Sequence, residues 1–229
     1  MKKIILPLLS FVLCISAYSQ KIGRINFSAT GELESIGLDM DENVLLNLNK
    51  DGSIGKFGVD IYKGYRDNYN NQLQDYNGRI EYFTDNDNEA FRGKVKSIGR
   101  YQITYYASFD KEELVGKVKS IGTLNFDYYP STENEAYRGN LKSVGSAVFT
   151  YYSSYDNDGF RGKIKSVGGT NITYFSSLED AGYKGKIKSI GSYSYTYYPG
   201  TYFRAELRGR VKTGNLTQTD NGIKYFIKF

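Results

Sequence analysis

The phrase Gly93-Lys94-Val95-Lys96-Ser97-Ile98-Gly99 returns at Gly116, Gly139, Gly162 and Gly185, each 23 residues after the last, and a looser copy starts at Gly209. A period of this length confines the chain to architectures that stack one small unit on the next. The second half of each unit recurs as well. Ile103-Thr104-Tyr105-Tyr106 becomes Phe126-Asp127-Tyr128-Tyr129, Phe149-Thr150-Tyr151-Tyr152, Ile172-Thr173-Tyr174-Phe175 and Tyr195-Thr196-Tyr197-Tyr198. Upstream the signal weakens but persists in Ile80-Glu81-Tyr82-Phe83, in register with Ile103, and in Gly31-Glu32-Leu33-Glu34-Ser35-Ile36-Gly37. The expected organisation is therefore degenerate N-terminal β-repeats over 20–90 and regular repeats over 91–229, ending in a closing strand.

Each unit holds two short β-branched or aromatic runs separated by glycine, the pattern of a hairpin. With Ile98-Gly99-Arg100 as a three-residue loop, Val95 faces Ile103 and Gly93 faces Tyr105 on one apolar side. Arg92 then faces Tyr106, Lys94 faces Thr104 and Lys96 faces Gln102 on a solvated side, and Ile98 falls at the turn. Two all-β architectures accept the period. A parallel β-helix stacks equivalent residues about 4.8 Å apart, which sets the Lys94, Lys117 and Lys163 series into like-charge ladders. An antiparallel meander of hairpins separates them by about 9.6 Å. Charge therefore favours the meander, an extended twisted sheet, with the β-helix as the alternative.

Composition removes much chemistry. The chain has no His, and its single cysteine, Cys14, lies in the N-terminal apolar stretch. Ser-His-Asp and Cys-His systems, His or Cys metal sites and thiol redox chemistry thus lack their central residue, and neither a metal nor a cofactor is expected. Residues 1–19 carry Lys2 and Lys3, an apolar run from Ile4 to Ile15 and the small-x-small site Ala17-Tyr18-Ser19, which reads as a secretory signal peptide cleaved before Gln20. The run is too short for an integral membrane span. Loss of Lys2 and Lys3 takes 30 basic residues to 28 against 25 acidic, a mature net charge of about +3. That is too weak to point to nucleic acid.

The unit resembles the MORN repeat, a β-hairpin of similar length that opens on aromatic-x-Gly. Here Tyr137-Arg138-Gly139 opens a unit, and Tyr151-Tyr152 leads through Asn157-Asp158-Gly159 into Phe160-Arg161-Gly162. The resemblance covers the C-terminal five or six units. It implies a scaffold that associates with lipid or tethers proteins.

One solvated row is the candidate binding surface: Lys94, Lys96, Tyr106, Lys117, Lys119, Tyr129, Tyr152, Lys163, Lys165, Lys186, Lys188 and Tyr198. Rings alternating with ammonium groups suit sugars or an anionic polymer, whereas the plain reading is a charged face that keeps the sheet soluble. Acidic residues collect between hairpins, as in Asp85, Asp87 and Glu89 or Asp156 and Asp158; their carboxylates offer ligands for Ca²⁺, but without the full loop, its glycine and its distal Glu, solvated turns are the favoured reading. No pair among them stands out as a glycosidase would need. The alternating Ile223-Lys224-Tyr225-Phe226-Ile227 reads as a final edge strand, though it also resembles the closing strand of a small outer-membrane barrel. The expected function is non-catalytic: a secreted, periplasmic or cell-surface repeat protein with a structural or interaction role. Its partner would be an envelope protein or a polysaccharide.

Overall fold

The computed structural model describes residues 20–40, 43–61 and 72–228; the proposed signal peptide lies outside them. The N-terminal strands are β1 (Lys21–Phe27), β2 (Leu33–Asp39), β3 (Val44–Leu48) and β4 (Ile54–Val59), paired antiparallel in sequence order. The repeats begin with β5 (Ile80–Tyr82) and continue as β6 (Val95–Ile98), β7 (Tyr101–Tyr105), β8 (Val118–Ile121), β9 (Leu124–Tyr128), β10 (Leu141–Val144), β11 (Ala147–Tyr151), β12 (Ile164–Val167), β13 (Thr170–Tyr174), β14 (Ile187–Ile190) and β15 (Tyr193–Ser194). These form an 11-stranded antiparallel meander in which every strand pairs with its neighbours in sequence. Beyond an interruption at Tyr195, β16 (Thr196–Tyr197) pairs with β17 (Val211–Thr213) and carries the alternation one strand further. The meander expected from charge spacing is thus the observed fold.

The hairpin register differs from the expected one by a residue. Ile98 pairs with Tyr101 and Ser97 with Gln102, so the turn is the two-residue Gly99-Arg100. Gly99 has φ 55°, the left-handed region that such a tight turn demands of its first residue. A second irregularity restores the faces. Thr104 pairs with Ser120 but Tyr105 with Val118, leaving Lys119 as the extra residue of a bulge. Lys96, Lys142, Lys165 and Lys188 are bulged in the same way. A bulge lets residues three apart face the same side. Val118 and Ile121 are therefore both buried, and the Ile98, Ile121, Val144, Val167 and Ile190 series is core rather than turn.

The apolar face of the meander is covered by the chain itself. β18 (Thr217–Asp220) and β19 (Ile223–Ile227) join the N-terminal strands in a second sheet, ordered β18-β19-β1-β2-β3-β4. β19 lies parallel to β1, with Ile25 opposite Tyr225, so the C-terminal segment expected at an edge is an interior strand. One hydrophobic core joins Ile25, Phe27, Leu46, Leu48 and Tyr225 of this sheet to Phe126, Phe149 and Ile172 of the meander. The layers approach closely at Gly52, where a Cβ would stand 2.4 Å from the Tyr128 hydroxyl, so no larger residue fits unless that ring moves. Polar clasps line the seam: Leu141 N–H donates to Lys50 O at 3.1 Å, Thr123 N–H to Gln20 Oε1 at 3.0 Å and Thr170 Oγ1 to Asp220 Oδ2 at 2.6 Å. Both larger sheets are open among the described residues, and no helix there is long and apolar enough to cross a membrane.

Candidate functional site: the lysine and tyrosine rows

The bulge divides the predicted row into two sets with different surroundings. The first lysine of each unit turns along the seam between units. Lys94 Nζ donates to Gly116 O at 2.6 Å, Lys117 to Gly139 O at 2.5 Å and Lys163 to Gly185 O at 2.6 Å, and Lys186 likewise reaches Gly209 O. Each ammonium also stands over a ring: Tyr105 at 5.3 Å, Tyr128 at 4.7 Å, Tyr174 at 5.3 Å and Tyr197 at 5.0 Å. Lys163 is buried, and its Nζ also donates to Thr30 O at 2.7 Å and lies 3.1 Å from Glu32 Oε1 in the second sheet.

The third regular unit lacks this lysine, having Asn140 in its place. There the second sheet supplies the ammonium. Lys50 Nζ donates to Gly162 O at 2.5 Å and stands 5.3 Å from the centre of the Tyr151 ring, the same two partners that every other first lysine has. Repeat spacing could not reveal Lys50, which lies outside the regular units; the only sequence sign was the vacancy at Asn140.

The second lysines are the bulged ones; Lys119, Lys142, Lys165 and Lys188 are exposed, and Lys96 is half-buried. Lys96, Lys119, Lys142, Lys165 and Lys188 stand over Phe83, Tyr106, Tyr129, Tyr152 and Phe175, with ammonium-to-centroid distances of 5.5, 5.4, 6.0, 5.6 and 5.7 Å. The rings beneath them are fixed by the next unit, since the hydroxyls of Tyr106, Tyr129 and Tyr152 donate to Phe126 O, Phe149 O and Ile172 O. The opening aromatics pack on the same rings, Tyr129 on Tyr137 at 4.8 Å and Tyr152 on Phe160 at 4.7 Å, while Tyr198 packs on Tyr202 at 4.6 Å. Of the residues predicted from sequence, then, Lys94, Lys117, Lys163 and Lys186 belong to the seams. Lys96, Lys119, Lys165 and Lys188, with Tyr106, Tyr129 and Tyr152 beneath or beside them, form an outward stripe.

The acidic loops stack beside these rows. Asp87 Oδ2 accepts from Thr84 N–H at 2.6 Å, Asp110 Oδ2 from Ala107 N–H at 2.7 Å and Asp156 Oδ2 from Ser153 N–H at 2.6 Å, so each closes its own turn. The backbone and side-chain hydroxyl of Thr84 hold the Asp87 carboxyl below its ordinary range. Asn134 joins successive loops, its Oδ1 accepting from Ala136 and Ser154 N–H. Sequence reasoning missed what the loop tips display. Phe109, Tyr155 and Leu178 share one repeat position and are 86%, 94% and 90% exposed, and Phe203 is 79% exposed.

Burial also sets the titration of the rows. It lowers the pKa of Lys94, Lys117 and Lys186, and of Lys50 against the opposing charge of Glu32. It raises the phenols of Tyr105, Tyr195 and Tyr225 from 10.0 to about 12, and pushes Tyr128, Tyr151 and Tyr174 higher still. The two groups oppose each other. A raised phenol keeps its proton longer in the folded chain, so its stabilisation is complete below pH 10 and is lost as pH rises toward 12. A lowered ammonium acts with the opposite sign just below its ordinary pKa. The tyrosine shifts are larger and dominate. Urea unfolding should show a steady free energy from pH 7 to about 9 and a fall between about pH 10 and 11; a flat profile through pH 11 would contradict the burial of these rings.

No protein-family model matches the chain, and comparisons with curated proteins and with solved structures found no match either.

Proposed function

We propose that the chain is a non-catalytic β-repeat protein acting as a structural or interaction element outside the cytoplasm, exported by its N-terminal leader and held at the cell envelope by a partner. Kinship with MORN-type hairpins belongs to the same proposal. The observation that carries it is the loop-tip row of Phe109, Tyr155, Leu178 and Phe203, large apolar side chains left in water. Exposed apolar groups in a series on a rigid frame are the mark of a contact surface. Lys94, Lys117 and Lys163 are engaged in the seams, and Asp156 closes its own turn.

The test is made on the exported protein. Its intact mass should begin at Gln20, and it should sediment with the envelope fraction. Replacing Phe109, Tyr155, Leu178 and Phe203 by serine should weaken envelope binding about tenfold or more, because each such side chain buried at a contact contributes about 1.5–3 kcal/mol. Unchanged binding would remove the loop row from the proposal, and a retained leader would remove export.

A second reading rests on the outward stripe. Its lysines repeat about every 9.6 Å along the sheet, a spacing suited to an extended anionic polysaccharide. Binding of this kind weakens between low salt and about 0.5 M, where exposed charges are screened within roughly 4 Å. Replacing Lys119, Lys142, Lys165 and Lys188 by glutamine abolishes it if the stripe is the site.

A further inference from the structure

The first-lysine contact is a joint between successive units. The cation comes from one unit's glycine-lysine strand, the ring from the strand that follows, and the carbonyl from the next unit's glycine. Any finite row of such joints ends with an empty socket at its head and an unused cation at its tail. Both are present here. At the head, the socket is the Tyr82 ring with Gly93 O. Gly93 O accepts no hydrogen bond among the described residues, and Tyr82 is 54% exposed, whereas its equivalents Tyr105, Tyr128, Tyr151 and Tyr197 are at most 9% exposed. One period before Lys94 the sequence has Asn71 and not a lysine.

At the tail, Gly209-Arg210-Val211-Lys212 places Arg210 at the first-lysine position. Its guanidinium is exposed and makes no hydrogen bond or ion pair among the described residues; Glu206 feels its charge. The strands match as well. β5 is of the aromatic type and β17 of the lysine type, and each has one edge without a partner strand among the described residues. Within the chain, the two types always alternate. The tail strand is basic through Arg210 and Lys212, and the head strand carries Glu81.

We propose that copies of this chain stack head to tail, β17 of one copy pairing antiparallel with β5 of the next, and Arg210 entering the socket of Tyr82 and Gly93. The contact is heterologous and does not close, so it extends into a filament rather than a dimer. It repeats within the chain the hairpin pairing of β6 with β7, and needs no change of fold. Strands of three residues make it weak. Assembly is a property of the purified chain alone, so it stands or falls apart from any envelope partner.

Light scattering and sedimentation of residues 20–229 test it. The mean mass should rise about twofold or more between about 10 μM and 1 mM, the range in which weak contacts populate. Arg210→Glu blocks the tail and Tyr82→Lys blocks the head, so each variant alone should stay at the mass of one chain. Mixed in equal amounts they should form a dimer and nothing larger, because one keeps its head and the other its tail. Both positions are exposed, and the variants should melt as the wild type does; Arg210→Ala and Tyr82→Ala carry the same test if either does not. A wild type that stays at one mass throughout, variants that assemble alone, or a mixture that remains monomeric would each overturn the proposal.

Discussion

Replacing Lys163 by methionine should lower the free energy of unfolding by about 3 kcal/mol, whereas Lys165→Met, two residues away, should cost no more than about 0.5 kcal/mol. The two lysines belong to one Lys-x-Lys pair and differ only in what the bulge does to them. Lys163 is buried, and its ammonium serves Gly185 O in its own sheet and Thr30 O in the other. Methionine preserves much of the stem and its packing but leaves both carbonyls without their donor, and a charge-assisted bond of this kind contributes about 1.5–3 kcal/mol. Lys165 is exposed and, among the described residues, stands over the face of Tyr152 at 5.6 Å. Urea unfolding of the two variants gives the comparison, and equal losses would mean that the seam and stripe sets are not distinct.

The period, the hairpin and the choice of meander were legible because they depend on local spacing and on charge repulsion between neighbours. Lys94 and Lys117 lie two strands apart, and Lys163 four strands beyond Lys117 because Asn140 interrupts the series, so no two of them stand on adjacent strands. The division of the lysine row was not legible. Lys94 and Lys96 alternate in sequence and so read as one face, and the bulge at Lys96 that separates them has no signature in residue type. The same bulge explains why Ile98 fits no simple alternation yet lies in the core. Long-range partners were the second gap. Gly31 to Gly37 read as a worn copy of the repeat phrase, which sets Ile36-Gly37 at a turn, yet both lie inside β2; Ile223 to Ile227 read as a strand, and its place beside β1 in a covering sheet follows from packing between chain ends. The reading of 20–90 as worn units supplied hairpins without showing that β1–β4 leave the meander for the second layer.

That second layer is the centre of the account, and one pair of residues reports on it directly. Lys50 stands in for the lysine missing at Asn140, so the two positions share one socket formed by Gly162 O and the Tyr151 ring. Lys50→Met should destabilise the protein by about 2 kcal/mol, the value of a partly buried charge-assisted bond. Asn140→Lys should then change sign with its background. In the wild type it brings two ammonium groups to one carbonyl and should destabilise by about 1 kcal/mol; in Lys50→Met it fills the empty socket and should restore about 1–2 kcal/mol. The measurement is the double-mutant cycle by urea unfolding at neutral pH. A reversal of sign at position 140 places the N-terminal sheet over the third unit with Lys50 in its seam. Additive effects, with Asn140→Lys acting alike in both backgrounds, would contradict the two-layer structure at its point of closest exchange.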